Sequence, residues 1–176
     1  MERYLDLFRK AGVLKNTVRE GWKRAGIDEP ESVADHSFRA AFIALILGEE
    51  WDLDGFKLVK LLLVHDIAES VIGDLTPEDN ISEPEKFDKE EKAIRGISKS
   101  FEGGFDLLAL WKEFERGECR EAMVARDIDR TEMILQALEY EEKYPEKDLS
   151  EFLSLEDVNL ETSEIRELLE SILNEQ

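Results

Sequence analysis

Between Leu58 and Val64 the chain is almost uninterruptedly aliphatic, and the run ends directly on His65 and Asp66, in the segment KLVKLLLVHDIAES at residues 57–70. A helix that apolar is buried on most of its surface. Burying an imidazole beside a carboxylate is costly unless each finds a partner or a metal ion. Whatever fold the chain adopts must therefore bring compensating groups to the end of this segment.

The rest of the sequence carries helical periodicity, and no period-two stretch is long enough to insist on a strand, so the pattern predicts an all-α fold. A first amphipathic helix is expected from about Arg3 to Leu14, then a polar, glycine-punctuated loop or irregular hairpin, KNTVREGWKRAGIDEPE. Ser32 and Asp35 form a capping-box signature that opens a second helix through VADHSFRAAFIALILGEE, which Gly48 and the charges after it bring to an end. The next helix is expected from Gly55 to about Ile72, with Gly73 as a left-handed terminator. A long polar segment follows, DLTPEDNISEPEKFDKEE, within which Ser82 and Glu85 can cap a helix reaching Phe101. Gly103 and Gly104 separate it from FDLLALWKEFERG. The longest helix is expected from Glu118 to Tyr144, closed by Pro145, and a last one from Thr162 to Asn174. With 176 residues, no repeat and no linker, residues 1–176 read as a single domain.

Charged residues make up 38% of the chain and the net charge is −20, which argues against long nucleic acid, because duplex-binding domains are usually basic. The N-terminal 30 residues are the exception, being slightly basic, so a small anion can still be drawn to a local pocket. Cys119 is alone, which excludes an internal disulfide and a cysteine-based zinc site and suits a reducing cytoplasm. The longest apolar run, AAFIALILG, is too short to span a bilayer, so no membrane partner is expected.

His36 and His65 are the only histidines, and both fall in or beside apolar helical runs. Glu69 follows His65 by four residues and Asp66 by three, on the same side of a continuous helix; this is not the zincin pattern, which has a second histidine at that position. A metal at His65 and Asp66 has to recruit ligands from elsewhere. His36 can supply one, and a carboxylate of the long helix another: the stripe Val124, Ile128, Thr131, Leu135, Leu138 leaves Asp129 at its edge, whereas Asp127 faces elsewhere. Such a mixed nitrogen and oxygen set suits a hard or borderline divalent ion with open positions. Asp74 and Thr76 lie in GDLTP, which is a turn by composition and, at the mouth of a rigid site, a place for substrate contacts. The charged stretch after Pro77 can act as a lid, and Arg39 reads as a charge partner rather than a catalyst.

Three segments, ESVADHSFRAA, LLLVHDIAESVIGDLTP and DIDRTEMILQALEYE, together resemble the HD-domain metal-dependent phosphohydrolases, named for a histidine, a His-Asp pair and a distant aspartate. Within them the chain is most similar to the 5'-deoxynucleotidase branch, through REGW before the first histidine, GDLTP after the His-Asp pair and EMILQALEYE after the last aspartate; the likeness covers roughly residues 3–172. The resemblance implies His36, His65, Asp66 and Asp129 as metal ligands and Glu69 as the catalytic or water-orienting carboxylate. Asp74 would assist the leaving 5'-oxygen or position the sugar, and Thr76 would contact substrate. It implies Arg19 on the phosphate, with Lys23 and Arg24 as alternative cations, and Trp22 against the sugar. It further implies one divalent ion (Co, Mn, Ni, Fe or Mg), a deoxyribonucleoside 5'-monophosphate substrate, and a homodimer, for which the FDLLALWKEF helix is one candidate surface. Other functions open at this point are a phosphohydrolase for another nucleotide or a cyclic phosphodiester, and a nucleotide-binding module without turnover.

Overall fold

The computed structural model describes residues 2–99, 105–154 and 158–174. Among them the architecture is all-α: α1 (Glu2–Val13), α2 (Glu20–Arg24), α3 (Val33–Glu50), α4 (Gly55–Val64), α5 (Glu69–Ile72), α6 (Glu83–Lys99), α7 (Leu107–Arg116), α8 (Arg120–Lys143), α9 (Ser150–Leu153) and α10 (Ser163–Asn174), with short 3-10 turns at Leu14–Asn16 and Pro77–Asp79. Extended backbone pairs only at an isolated bridge between Val18 and Ser32, which closes the loop around α2. No described helix is long and apolar enough to cross a membrane.

The capping residues act as the sequence predicts. Ser32 Oγ accepts from the Asp35 N–H at 3.2 Å while the Ser32 N–H donates to Asp35 Oδ2 at 3.0 Å, which fixes the first turn of α3 and so the direction of His36. Ser82 donates through its N–H and Oγ to Glu85, at 3.1 and 2.7 Å, at the start of α6. The predicted helix end at Phe101 and the separator at Gly103 and Gly104 lie outside the described residues. α8 stops at Lys143, just ahead of Pro145.

Three expectations are corrected. α3 ends at Glu50, as its sequence segment predicts, but the role of Gly48 within it is steric, since a Cβ there would sit 2.5 Å from the Gly55 Cα. The missing side chain lets the start of α4 lie directly on α3. The helix expected from Gly55 to Ile72 is two helices, α4 and α5, separated by a turn at residues 65–68 with three-residue hydrogen bonds from Ile67 N to Val64 O (3.1 Å) and Glu69 N to Asp66 O (3.0 Å). Gly73 ends α5 with φ 77° and ψ 171°, an extended region essentially reserved for glycine rather than the left-handed helical one. The short helices α2 and α9 were not foreseen, being too brief for a period to register.

α8 is the central element, buried on several sides, with α3, α4, α7 and α10 packed around it. A second cluster joins α4, the turn after it, α5, α6 and α7 through Val64, Ile67, Ile72, Ile94, Ile97 and Trp111. A third packs Trp22 and Ile27 on Ala137, Tyr140 and Leu149. Asp127, fully buried, faces away from the histidines as predicted. It accepts hydrogen bonds from the N–H groups of Glu161 and Thr162 and from Thr162 Oγ1, and so anchors the start of α10. The apolar residues of α7 (Leu107, Trp111, Phe114) are core, whereas α3 leaves Phe38, Phe42, Leu45 and Ile46 exposed at helical spacing, with Phe56 and Leu63 exposed on α4.

The close approach of α3 and α4 predicts that Gly48→Ala forces two backbones apart. Overpacking of this kind costs roughly 1–3 kcal/mol, so thermal unfolding of the variant should show a clearly lower Tm; an unchanged Tm would mean the approach is not tight.

Candidate metal centre and its cleft

His36 is fully buried in the first turn of α3, His65 caps the end of α4, Asp66 follows in the turn, and Asp129 projects from the middle of α8. The fold brings all four together. Nε2 of His36 and Nε2 of His65 are 3.3 Å apart. Asp129 Oδ1 lies 3.0 Å from the first and 3.6 Å from the second, and Asp66 Oδ2 lies 3.7 and 3.0 Å from them.

What faces what at the centre follows from the outer nitrogens. His36 Nδ1 meets a carboxylate oxygen of buried Glu132, and His65 Nδ1 lies 2.7 Å from the Leu62 carbonyl. Both partners are acceptors, so each Nδ1 carries the proton and each Nε2 presents its lone pair inward. Two lone pairs and two carboxylate oxygens then converge, an arrangement that repels itself unless a proton or a cation sits among them. The buried Asp66 Oδ2, moreover, has no hydrogen-bond partner among the described residues. An unpartnered anionic oxygen beside two convergent imidazoles fits a divalent cation. His36, His65 and Asp66 offer ligand atoms all within 4.8 Å of one another.

Without a cation, protons take up part of the strain. Burial opposes the charged form of His65, but Asp66 and Asp129 outweigh it and raise its pKa well above the usual imidazole value. Asp66 runs the other way: burial would raise it, yet the neighbouring His65, His36 and Arg19 bring it down to about 2.

The centre opens into a cleft of about 710 Å³. Arg19 reaches its floor, 3.7 Å from Asp66 Oδ2; burial works against its charge, but Asp66, Asp129, Asp74 and Glu69 hold it protonated. Glu69, at the start of α5, is buried with Oε2 unpartnered among the described residues. Burial, with Asp66 and Asp74 adding, raises its carboxyl well above the usual range. Asp74 Oδ2 accepts the Glu20 N–H at 2.6 Å, which ties the post-helix turn to α2. Thr76 lines the cleft and is held by Arg24. Arg24 also binds Asp79 at 2.6 Å, and Lys23 binds Glu20 at 2.9 Å, so these two cations are engaged elsewhere. Trp22 lines the cleft from an almost fully buried position, its Nε1 donating to Glu31 and its ring packed on Phe152 at 4.4 Å and Tyr140 at 5.3 Å.

Sequence reading missed Glu132, Phe152 and Lys86. Glu132 fixes His36 and pairs with Arg39, which also reaches Gln136 and Glu139. Its signal was present: a carboxylate three residues after Asp129, inside the apolar stripe. Phe152 and Lys86 line the cleft from α9 and α6, and neither has a local pattern that singles it out.

Residues 11–168 match the HD domain family. The chain is 40% identical over 152 residues to 5'-deoxynucleotidase HDDC2 of Dictyostelium discoideum, covering 81% of this chain and 80% of that protein. It is 39% identical over 140 residues to 5'-deoxynucleotidase HDDC2 of Homo sapiens, covering 78% and 68%. Among solved structures, a protein from Pyrococcus horikoshii OT3 superposes with a TM-score of 0.84 at 31% identity, covering 98% of this chain and 99% of that one.

One carboxyl behind the cleft makes stability depend on pH. Burial pushes Glu90 of α6 up to about 7, with Lys86 opposing and Glu115, Asp66 and Glu83 adding to the rise. An unfolded glutamate ionises near 4.3. Between these values the folded state keeps a proton that the unfolded chain has released, so this contribution is intact at low pH and is lost as pH rises towards 7. Glu90→Gln should therefore stabilise the protein by roughly 1–3 kcal/mol at pH 8, a gain that shrinks by more than half at pH 5. Denaturant unfolding at the two pH values checks it, and an equal gain at both would contradict it.

Proposed function

The chain belongs to the HD domain family, and from that premise we propose that residues 1–176 form one HD domain, a metal-dependent phosphomonoesterase removing the 5'-phosphate from deoxyribonucleoside 5'-monophosphates. The observation that carries the reading is the meeting of two imidazole Nε2 atoms at 3.3 Å with Asp66 and Asp129, on the floor of a cleft that also holds Arg19 and Glu69. The substrate class is supported by relatives named 5'-deoxynucleotidases in organisms as distant as an amoeba and a human.

His36, His65, Asp66 and Asp129 would hold one divalent ion, of a kind such ligands accept: Mn, Co, Ni, Fe or Mg. That ion supplies polarisation of the phosphoryl oxygens and acidification of the attacking water. Glu132 and the Leu62 carbonyl keep both imidazoles in the tautomer that turns Nε2 inward. Arg19 neutralises phosphate charge from the α2 side. Glu69, buried at the start of α5 with Oε2 unpartnered among the described residues, orients the attacking water and takes its proton. Asp74, which lines the cleft and accepts the Glu20 N–H, assists the departing 5'-oxygen or positions the sugar. Thr76 adds a hydroxyl at the rim. Trp22, braced by Phe152, forms the apolar wall where a 2'-hydroxyl would fit poorly, a preference worth up to roughly 100-fold.

The decisive experiment is phosphate release from paired ribo- and deoxyribonucleoside 5'-monophosphates by protein stripped of metal and resupplied with single divalent ions. Turnover should depend on the ion and favour deoxy substrates, and Glu69→Gln should lower kcat by about 100-fold or more while retaining the metal. Absence of turnover with every ion by folded protein would overturn the reading.

The same reading includes a homodimer and a cytoplasmic setting, the latter supported by the single free cysteine. Because the apolar side chains of α7 are core, the pairing surface proposed is the exposed row Phe38, Phe42, Leu45 and Ile46 of α3, since a patch of this kind usually marks an interface. Light scattering should give twice the chain mass, and Phe42→Glu should give a folded monomer; a wild-type monomer would exclude the dimer.

A further inference from the structure

We propose that Lys86 is a second phosphate-holding cation of the cleft, acting beside Arg19; this deepens the phosphomonoesterase reading and rests on it. Four cationic side chains line the cleft: Arg19, Arg24, Lys86 and Arg130. Two of them are committed. Arg24 is bound to Thr76 and Asp79 and straps the segment after Asp74. Arg130 is bound to the Asn159 carbonyl at 2.6 Å and to Asp127 at 3.1 Å, holding the lead into α10. Arg19 keeps one ion pair, at 3.7 Å to Asp66. Lys86 is as lightly engaged as Arg19: among the described residues its ammonium makes no hydrogen bond, and its one ion pair, to Glu90, is 3.8 Å long.

Its setting is nonetheless that of a placed charge. The side chain is 36% exposed, its stem covered where α6 meets the cleft. Its charge is sustained, against the cost of burial, by Glu90, Asp66 and Glu69 in that order, and it in turn acts on Asp74. Arg19 acts on the same three cleft carboxylates, Asp66, Glu69 and Asp74. Arg19, just ahead of α2, and Lys86, on α6, thus line one cleft from separate elements. The ligand chemistry explains the need. A phosphomonoester near neutral pH is a dianion, and the cleft it enters is also lined by Asp66, Glu69, Asp74 and Asp129; the proposed ion would be taken up largely by its own carboxylate ligands, which leaves phosphate charge for the cations of the cleft to offset. An ammonium with three free donors is suited to a tetrahedral oxyanion that it meets as a point charge. Glu90, raised by burial to about 7, meets it only at 3.8 Å.

The competing account is a plain i,i+4 ion pair between Lys86 and Glu90, and Glu90→Gln separates the two. Inorganic phosphate is titrated calorimetrically into metal-loaded wild type, Lys86→Gln, Lys86→Arg and Glu90→Gln, in parallel with turnover of a deoxyribonucleoside 5'-monophosphate and inhibition by the free deoxyribonucleoside. Lys86→Gln should weaken phosphate about tenfold, in keeping with loss of one charge-assisted contact, and raise KM, while leaving deoxyribonucleoside inhibition as in wild type. Lys86→Arg should recover most of the affinity, and Glu90→Gln should bind phosphate as tightly as wild type or more so. Wild-type phosphate affinity in Lys86→Gln overturns the proposal, as does an equal loss in Lys86→Gln and Glu90→Gln, or a wild-type protein that binds no phosphate. Lys86-dependent phosphate binding by a protein that turns over no deoxynucleotide would sustain this assignment and reject the substrate reading instead.

Discussion

Two imidazole nitrogens held 3.3 Å apart, each with its lone pair turned towards the other, are the constraint on which the structure depends. Bringing them together while buried, beside two carboxylates, is unfavourable for the polypeptide alone. The arrangement persists because strong elements fix it from outside. α3 enters in a direction set by its capping box, α4 is clamped by an aliphatic run, and α8 packs against both and carries Asp129 and Glu132. The Phe114 ring packs on His65 at 5.0 Å, and Arg39 neutralises the carboxylate behind His36. Groups outside the ligands thus decide which nitrogen carries a proton, and the strain points at the position a cation would occupy.

The break after Val64 follows from the same demand. In an unbroken helix His65 and Asp66 would project about 100° apart. The tighter turn at residues 65–68 instead brings His65 Nε2 and Asp66 Oδ2 to 3.0 Å and starts a new short helix whose first residue is Glu69. Gly73 then ends that helix in a backbone region that a side chain would resist, so the chain reaches Asp74 at once, and the Glu20 N–H holds Asp74 to the opposite wall. The three acidic positions that differ in proposed role, Asp66, Glu69 and Asp74, are separated by local backbone geometry over nine residues.

How much of this the sequence revealed tracks how local each cause is. Helices of ten residues or more were legible because their period is repeated several times, and the capping pairs Ser32–Asp35 and Ser82–Glu85 because capping is decided within four residues. The helix break was not legible: residues 65–68, His-Asp-Ile-Ala, contain no glycine or proline, and the groups that His65 and Asp66 meet there, His36 and Asp129, are distant in sequence. Gly48 was misread for a related reason. A glycine near a helix end has two explanations, termination and close approach, and only the position of Gly55 distinguishes them. The four residues proposed as ligands were singled out by their resemblance to the family's motif, and the fold brings them together, whereas Lys86 and Phe152 reach the cleft through tertiary packing that leaves no local trace.

The overall charge of −20 and a phosphate-bearing substrate are compatible because electrostatics at this cleft is short in range. Charges on the far surface are screened over about 8 Å at physiological ionic strength, so an approaching mononucleotide senses mainly the groups lining the opening. There Arg19 and Lys86 stand against buried acids, and the proposed ion would offset the carboxylates that no side chain pairs. A long polyanion would meet the acidic surface at many points and gain from few, whereas a single phosphoryl group has to satisfy only the floor. The size of the field that matters, like the size of the substrate, is that of the cleft.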